Sequence, residues 1–445
     1  MPEASLPERT PVLVVGGGPV GLIVSGLLSQ RGIAHVVVER RSETRRAPAA
    51  HVLRRRPMEI LDALGVGDEV RRAAALPLDF ITWCTTLGGL EIGRLDLRPV
   101  DPETGARGPE PWTNCAQNLL EPILLRHASR QAPARIVRGA ECVGIEQRED
   151  RVLAHLRSEG GREPRLEADW VVAADGAGSP ARRMLAIPME GMGPLGRFSM
   201  IHFEADLVPW VQHRSGPLFW ILNPESPGCL IVHDPKRSHV FMMPRRGTEG
   251  EEETIPERLT AALGVPAPTK ILSVDSWSPH VQVATRYRSG RVLLVGDAAH
   301  RFPPTGGLGL NTGIQEAHDL VTRLAAVASG NGTAALLDGY ETACRPAARA
   351  NADESFENLK RLGEIPRVIG EWPDLATLER RLASLTPAER RQLDEAIEAQ
   401  RSHFVSDGSA PAPVEQPTAP WAGIAAHLAL ERSPRARRAG HGTDS

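Results

Sequence analysis

Apolar runs long enough to cross a membrane are missing from this sequence: none reaches the roughly 18 residues that a spanning helix needs. The formal net charge is only -3, so the chain sets up no field that would gather nucleic acid or an anionic bilayer, and neither is an expected partner. Cysteine is sparse. Cys84, Cys115, Cys142, Cys229 and Cys344 are odd in number, far apart and without a Cys-x-x-Cys pair. That pattern argues against a zinc site and against a disulfide framework, and no metal is expected. Residues 1–10 have neither the charged nor the apolar region of a signal peptide, so a cytoplasmic location is expected. Tyrosine occurs only as Tyr287 and Tyr340. A length of 445 residues suggests two or three domains with a large core, and a small-molecule enzyme becomes the default reading.

Glycine, by contrast, is concentrated. Gly16-Gly17-Gly18-Pro19-Val20-Gly21 follows an apolar run at 11–15 and precedes a segment in which Val20, Ile23, Val24, Leu27 and Leu28 share one helical face. A second strand at 35–38 ends in Glu39. Strand, G-x-G-x-x-G turn, helix, strand and acid stand in the order of a dinucleotide site, where the helix start receives a pyrophosphate and the acid takes ribose hydroxyls. The motif alone does not separate FAD from NAD. Arg40, Arg41, Arg45, Arg46, Arg54, Arg55 and Arg56 make the following stretch locally basic, and phosphates are its natural partners.

Two further stretches have the same form. A buried strand at 170–174 runs into Asp175-Gly176-Ala177-Gly178-Ser179-Pro180-Ala181-Arg182-Arg183, and another at 292–295 runs into Gly296-Asp297-Ala298-Ala299-His300. Asp175 and Asp297 are thus placed at the carboxyl edge of a sheet, where such sheets bind ligands. After Asp297, Pro303 and Pro304 exclude helix, while Gly306, Gly307 and Gly309 let the backbone pass close to a flat ligand. A helix is predicted to begin near Asn311 or Thr312, its positive end towards that ligand. Residues 198–205, 218–222, 230–233 and 240–243 alternate with period two and read as an antiparallel sheet, in which His202, Phe219 and Phe241 are candidate substrate contacts. Helices are predicted at 373–385 and 386–404, packed beside the nucleotide-binding domain.

The signatures at 16–39, 175–183 and 296–313, with Gln117-Asn118-Leu119-Leu120-Glu121 between them, resemble the FAD-dependent aromatic monooxygenases of the para-hydroxybenzoate hydroxylase superfamily. They are most similar to its phenol, chlorophenol and polyketide hydroxylase branch, over about residues 10–405. The resemblance implies an α/β fold: a discontinuous Rossmann-like FAD-binding domain at 10–75, 111–195 and 286–345, an antiparallel-sheet substrate domain at 76–110 and 196–285, and C-terminal helices at 346–405. A flexible Pro-rich tail is expected at 406–445, where many members of the branch carry a thioredoxin-like domain. FAD is the implied cofactor and NADPH or NADH the co-substrate. Molecular oxygen and a small aromatic molecule are the implied reactants, and the protein is expected to be a monomer or homodimer.

Carried over residue by residue, the resemblance assigns Gly16, Gly18, Pro19, Val20, Gly21, Glu39, Gln117, Asp175 and Asp297 to FAD. Arg46 and Arg182 go to the pyrophosphate, Pro304, Leu310 and Asn311 surround the isoalloxazine, and Arg40, Gly307 and Gly309 are further cofactor contacts. The family usually has Arg where this chain has Ala49, so either Arg45 or Arg46 substitutes or cofactor handling differs. The implied reaction is hydroxylation of an electron-rich ring through a flavin C4a-hydroperoxide. Benzoate-type members deprotonate their phenol through tyrosines over the flavin. Neither Tyr287 nor Tyr340 falls in the substrate sheet, which favours a larger phenol, polyketide or polycyclic aromatic. Epoxidation, Baeyer-Villiger insertion and a non-catalytic flavin- or ligand-binding role stay open, whereas the Trp-x-Trp-x-Ile-Pro motif of flavin halogenases is absent.

Overall fold

Uninterrupted runs of Val, Leu and Ala seed the larger sheet, as expected of parallel strands covered on both faces. In the computed structural model, which describes residues 6–74, 76–99, 112–214, 216–245 and 254–405, its path runs Arg288–Ser289, Val292–Leu294, Arg165–Ala173, Arg9–Val15, His35–Glu39, Ala134–Arg138. The register pairs Val15 with both Ala173 and Val38, and Ala173 with Leu294. The three glycine-rich turns therefore leave the sheet side by side at one edge. Fold class follows: a Rossmann-like α/β domain assembled from separate stretches of chain. Residues 134–147 form two strands, Ala134–Arg138 and Ala140–Gln147, because Gly139 at φ 70° turns the chain between them. The expected tail at 406–445 and the acidic loop at 249–253 lie outside the described residues.

A second sheet of seven strands has the order Lys270–Trp277, Phe198–Glu204, Ser238–Pro244, Gly228–Asp234, Leu218–Ile221, Phe80–Cys84, Glu91–Asp96. It is antiparallel except where Leu218–Ile221 pairs parallel with Phe80–Cys84, a strand supplied from far upstream rather than through a hairpin. One face carries Ile201, Phe203, Phe219, Leu230, Phe241 and Met243, all buried in a core with Leu259 and Leu263 of the helix Ile255–Leu263. The opposite face looks towards the glycine-rich edge of the first sheet. The helices Glu364–Ile369, Leu375–Ala383 and Pro387–Ala399 bury Ile365, Leu378 and Ile397 against Trp83, Ile92 and Leu95. They brace the second sheet rather than the nucleotide-binding domain beside which they were expected. Among the described residues no helix is long and apolar enough to cross a membrane.

Candidate cofactor and substrate site

Between the two sheets lies one cavity of about 1000 Å³. Its wall includes Gly16, Gly18, Pro19, Val20 and Glu39 at one end, residues 175–178 and 303–310 along its length, and the second sheet at the other end. The first glycine turn shows which positions are needed for packing and which for access. A Cβ at Gly16 would stand 2.3 Å from the Ala174 carbonyl oxygen, and one at Gly21 would stand 2.0 Å from that of Gly16. Those two glycines bring helix Pro19–Gln30 onto the sheet. At Gly18 and Gly178 a Cβ would meet nothing within 4 Å, and both line the cavity, so the backbone there is open to the cavity. Glu39 holds the turn, its Oε2 accepting from Gly17 N at 2.7 Å and its Oε1 from Arg41 N at 3.0 Å.

Asp175 also lines the cavity, but its oxygens are engaged locally. Oδ1 accepts from Ser179 Oγ at 2.5 Å and Oδ2 from Ala181 N at 2.9 Å, so its side chain shapes the turn whose backbone faces the ligand space. Burial pushes its carboxyl pKa up, against the effect of those two bonds. Arg182 is not in the cavity wall. It is buried, and its Nη1 donates to Ile187 O at 2.8 Å, because Ser179 caps the short helix Pro180–Met184 and turns Arg182 inward. Arg183 and Arg301 line the cavity instead, donating to the carbonyls of Gly178 and Ala177 respectively. Arg46 likewise lies outside the cavity: it is exposed and pairs with Glu43 at 2.6 Å, in a separate surface groove reached by Arg40 and Arg41. Arg45 lines the cavity beside Ala49. Gln117 lines it too, its Nε2 donating to Glu121 Oε1 at 2.7 Å.

Asp297 sits in the one-turn helix Gly296–Ala298, is open to the cavity, and makes no hydrogen bond with any described residue. Protein encloses it on every other side, and that burial raises its pKa, with Glu316 adding to the rise and His300 and Arg301 opposing it. Beneath it, Glu316 Oε2 accepts from Gly296 N at 2.9 Å and lies 3.2 Å from His300 Nε2. Burial resists charging of His300, but Glu316 outweighs it and raises the pKa. Helix Leu308–Ala328 begins earlier than predicted, because Gly307 at φ 63° takes the left-handed conformation just ahead of it. Pro304, Gly307, Gly309 and Leu310 line the cavity. Asn311 does not: it is buried, its Oδ1 accepts from Arg54 N at 2.9 Å, and its Nδ2 donates to Val52 O at 2.9 Å and Gly307 O at 2.6 Å. It ties residues 52–54 to the helix start.

At the far end the period-two reading found the strands and chose the wrong face. Phe219 and Phe241 are fully buried in the outer core, and half-buried His202 reaches Ser238 Oγ at 3.3 Å instead of the cavity. The register Trp220–Cys229–Met242–Met200 crosses four strands on the inner face. These residues, with Trp83, Leu218, Ile231 and Trp277, form an apolar roof. Burial pushes the Cys229 thiol up to about 12, so it stays protonated. Both tyrosines are fully buried in the first domain's core, and Tyr340 Oη donates to Leu294 O at 2.7 Å.

Residues 9–355 match the FAD binding domain family. A protein of Streptomyces coelicolor named as a polyketide hydroxylase is 38% identical over 79% of this chain and 58% of its own length. The 2,4-dichlorophenol 6-monooxygenase of Cupriavidus pinatubonensis is 32% identical over 90% of this chain and 69% of its own. The chain spans 58% and 64% of the length of the first two curated relatives. Among solved structures, the flavin-dependent monooxygenase PieE with FAD and substrate superposes with a TM-score of 0.83, at 29% identity over 92% of this chain and 78% of that one. A ternary complex of aklavinone-11 hydroxylase with FAD and aklavinone gives 0.71, at 30% identity over 79% and 69%. With the glycine cradle, the cavity-facing Asp297 and the apolar roof in their places, the chain belongs to the FAD-dependent aromatic monooxygenase family.

Proposed function

We propose that this protein is an NAD(P)H-consuming monooxygenase that hydroxylates a phenolic, polyketide or polycyclic aromatic substrate. The observation that supports this most is the continuity of the cavity: the glycine-lined, nucleotide-accepting end and the Trp- and Met-lined end are one space. A dinucleotide in the cradle and a planar apolar ligand under the roof share one enclosure, the arrangement that oxygen transfer between them requires. The relatives' names point to phenols and polyketides as the ligand class. Bound FAD, reduced by NAD(P)H, supplies the activation of molecular oxygen that no side chain can supply.

The chain's own share is binding, orientation and exclusion of water. The backbone at Gly18 and at 176–178 meets the phosphates, with Arg45, Arg183 and Arg301 adding positive charge along the wall. Asp297 accepts from a cofactor hydroxyl. The start of helix Leu308–Ala328 would turn the positive end of its dipole towards the cofactor's ring system, where it would favour negative charge. The roof keeps water from the reacting atoms. The test is a panel of phenols and polycyclic aromatics, scored together for stimulated NADH or NADPH oxidation and for a product heavier by one oxygen atom. Stimulated oxidation that yields only hydrogen peroxide across the panel would remove the reading.

A further inference from the structure

We propose that His51 is the base that takes the hydroxyl proton of the ring substrate, held for that task in one tautomer by Asn114. The proposal rests on the monooxygenase reading for the nature of the ligand, and on the structure for the geometry. His51 lines the cavity next to Val52, whose carbonyl is tied to Asn311 at the helix start. The ring thus stands where the glycine-rich floor meets the sheet. Its Nδ1 is 2.8 Å from Asn114 Oδ1. Asn114 cannot turn over, because its Nδ2 donates to Leu76 O at 2.8 Å. An oxygen therefore faces His51, Nδ1 must carry the hydrogen, and Nε2 keeps a lone pair with no partner among the described residues.

The surroundings keep that imidazole neutral and ready. His233 lies edge to face with it, centroids 5.4 Å apart and planes at 87°, is buried, and has neither ring nitrogen bonded. Burial and the neighbouring histidines hold the His233 pKa well below its usual value, so it brings no positive charge. Burial lowers the His51 pKa as well, and the Asn114 bond partly restores it. A neutral acceptor in an apolar chamber selects a ligand that brings a donor, which on an aromatic ring is a phenol or enol hydroxyl. In the step, the substrate O–H bond breaks, the Nε2–H bond forms and the electron pair stays on oxygen, enriching the ring towards attack. The imidazolium keeps its Nδ1–H bond to Asn114 and returns the proton to the product oxygen. Neither tyrosine lines the cavity. Two other histidines, His280 and His403, line the wall. Burial and Arg361 hold His403 down to about 3, which leaves it too weak a base.

The test uses the FAD-loaded protein and 4-nitrophenol, below the pH at which that phenol ionises in solution. Binding is read from the flavin absorbance and ionisation from the phenolate band. Wild type and His202→Gln, a change at a side chain that reaches Ser238 instead of the cavity, should shift the bound phenol towards phenolate. His51→Gln should bind it without the shift, and turnover of any hydroxylated phenol should fall about 10²- to 10⁴-fold in kcat with less change in KM. If His51→Gln fails to retain FAD, Asn114→Leu, which removes the tautomer lock together with the bond to Leu76 O, should reduce the shift about tenfold, the worth of the hydrogen bond to His51. A shift that survives both changes overturns the proposal, as does wild-type protein that fails to take up the phenol or binds it without ionising it. A His51-dependent shift in a protein that forms no oxygenated product would instead sink the monooxygenase reading and leave the base in place.

Discussion

Replacing Gly18 by Ala should cost this protein its cofactor and not its fold. Gly18 has φ -75° and ψ -177°, a conformation alanine adopts without strain, and an added Cβ would meet no protein atom within 4 Å. The change at the helix N-cap costs a few tenths to about 1 kcal/mol. The methyl group instead occupies cavity space in front of the backbone to which a pyrophosphate must come. Each charge-assisted hydrogen bond lost there costs about 1.5 to 3 kcal/mol, or about ten- to 150-fold in affinity. Gly21→Ala is the matched contrast. Its Cβ would be 2.0 Å from Gly16 O, so helix Pro19–Gln30 must back away from the sheet, an overpacking that costs about 1 to 3 kcal/mol or more. Denaturant melts of the apoprotein and FAD titrations followed by flavin fluorescence separate the two. The reasoning fails if Gly18→Ala binds FAD like wild type, or if it loses as much apoprotein stability as Gly21→Ala.

Asp297→Ala should weaken FAD binding about ten- to 150-fold, since it removes one charged hydrogen-bond acceptor that has no side-chain partner among the described residues; unchanged affinity would show that the carboxylate does not touch the cofactor. Arg45→Ala should raise the NAD(P)H KM more than Arg46→Ala does, because Arg45 lines the cavity while Arg46 pairs with Glu43 outside it. Ala49→Arg should couple non-additively with the first change only. Stability should fall on acidification: burial holds His239 down to about 4, so the unfolded chain takes up a proton from about pH 6.5 downward that the folded chain refuses. By pH 5 that amounts to about 2 kcal/mol. His233 and His403 act in the same direction, while the raised pKa values of Asp175, Asp297 and His300 oppose it in part. A melting temperature that stays flat between pH 7 and pH 5 would contradict the net sign.

What was legible in the sequence was whatever the backbone itself encodes. Apolar runs ending in Gly16, Asp175 and Gly296 mark strands that leave a parallel sheet, and a glycine at such an end has few explanations other than close approach of backbone or ligand. The failures are of another kind. Period two fixed the alternation of Phe219 and Phe241 with Leu218 and Met242, but both sets are apolar. Which set met a core and which a cavity depended on where helix Ile255–Leu263 docked, and nothing local to the strands records that. Arg182 and Arg183 differ by one position, and only the Ser179 cap decides which one turns inward.

Asn311 and Glu316 follow the same logic one level deeper. Each is a polar residue on the helix Leu308–Ala328, and the family resemblance assigns the first to the ligand and passes over the second. In the fold both hold backbone: Asn311 secures Arg54 and Val52, and Glu316 secures Gly296 through its N–H. One helix thereby fixes the residue before Asp297 and the residue after His51, the two groups proposed here to meet cofactor and substrate. A buried carboxylate that loses its partners is costly, and so is a buried amide. These positions are therefore constrained by the stability of the enclosure as much as by the chemistry performed inside it.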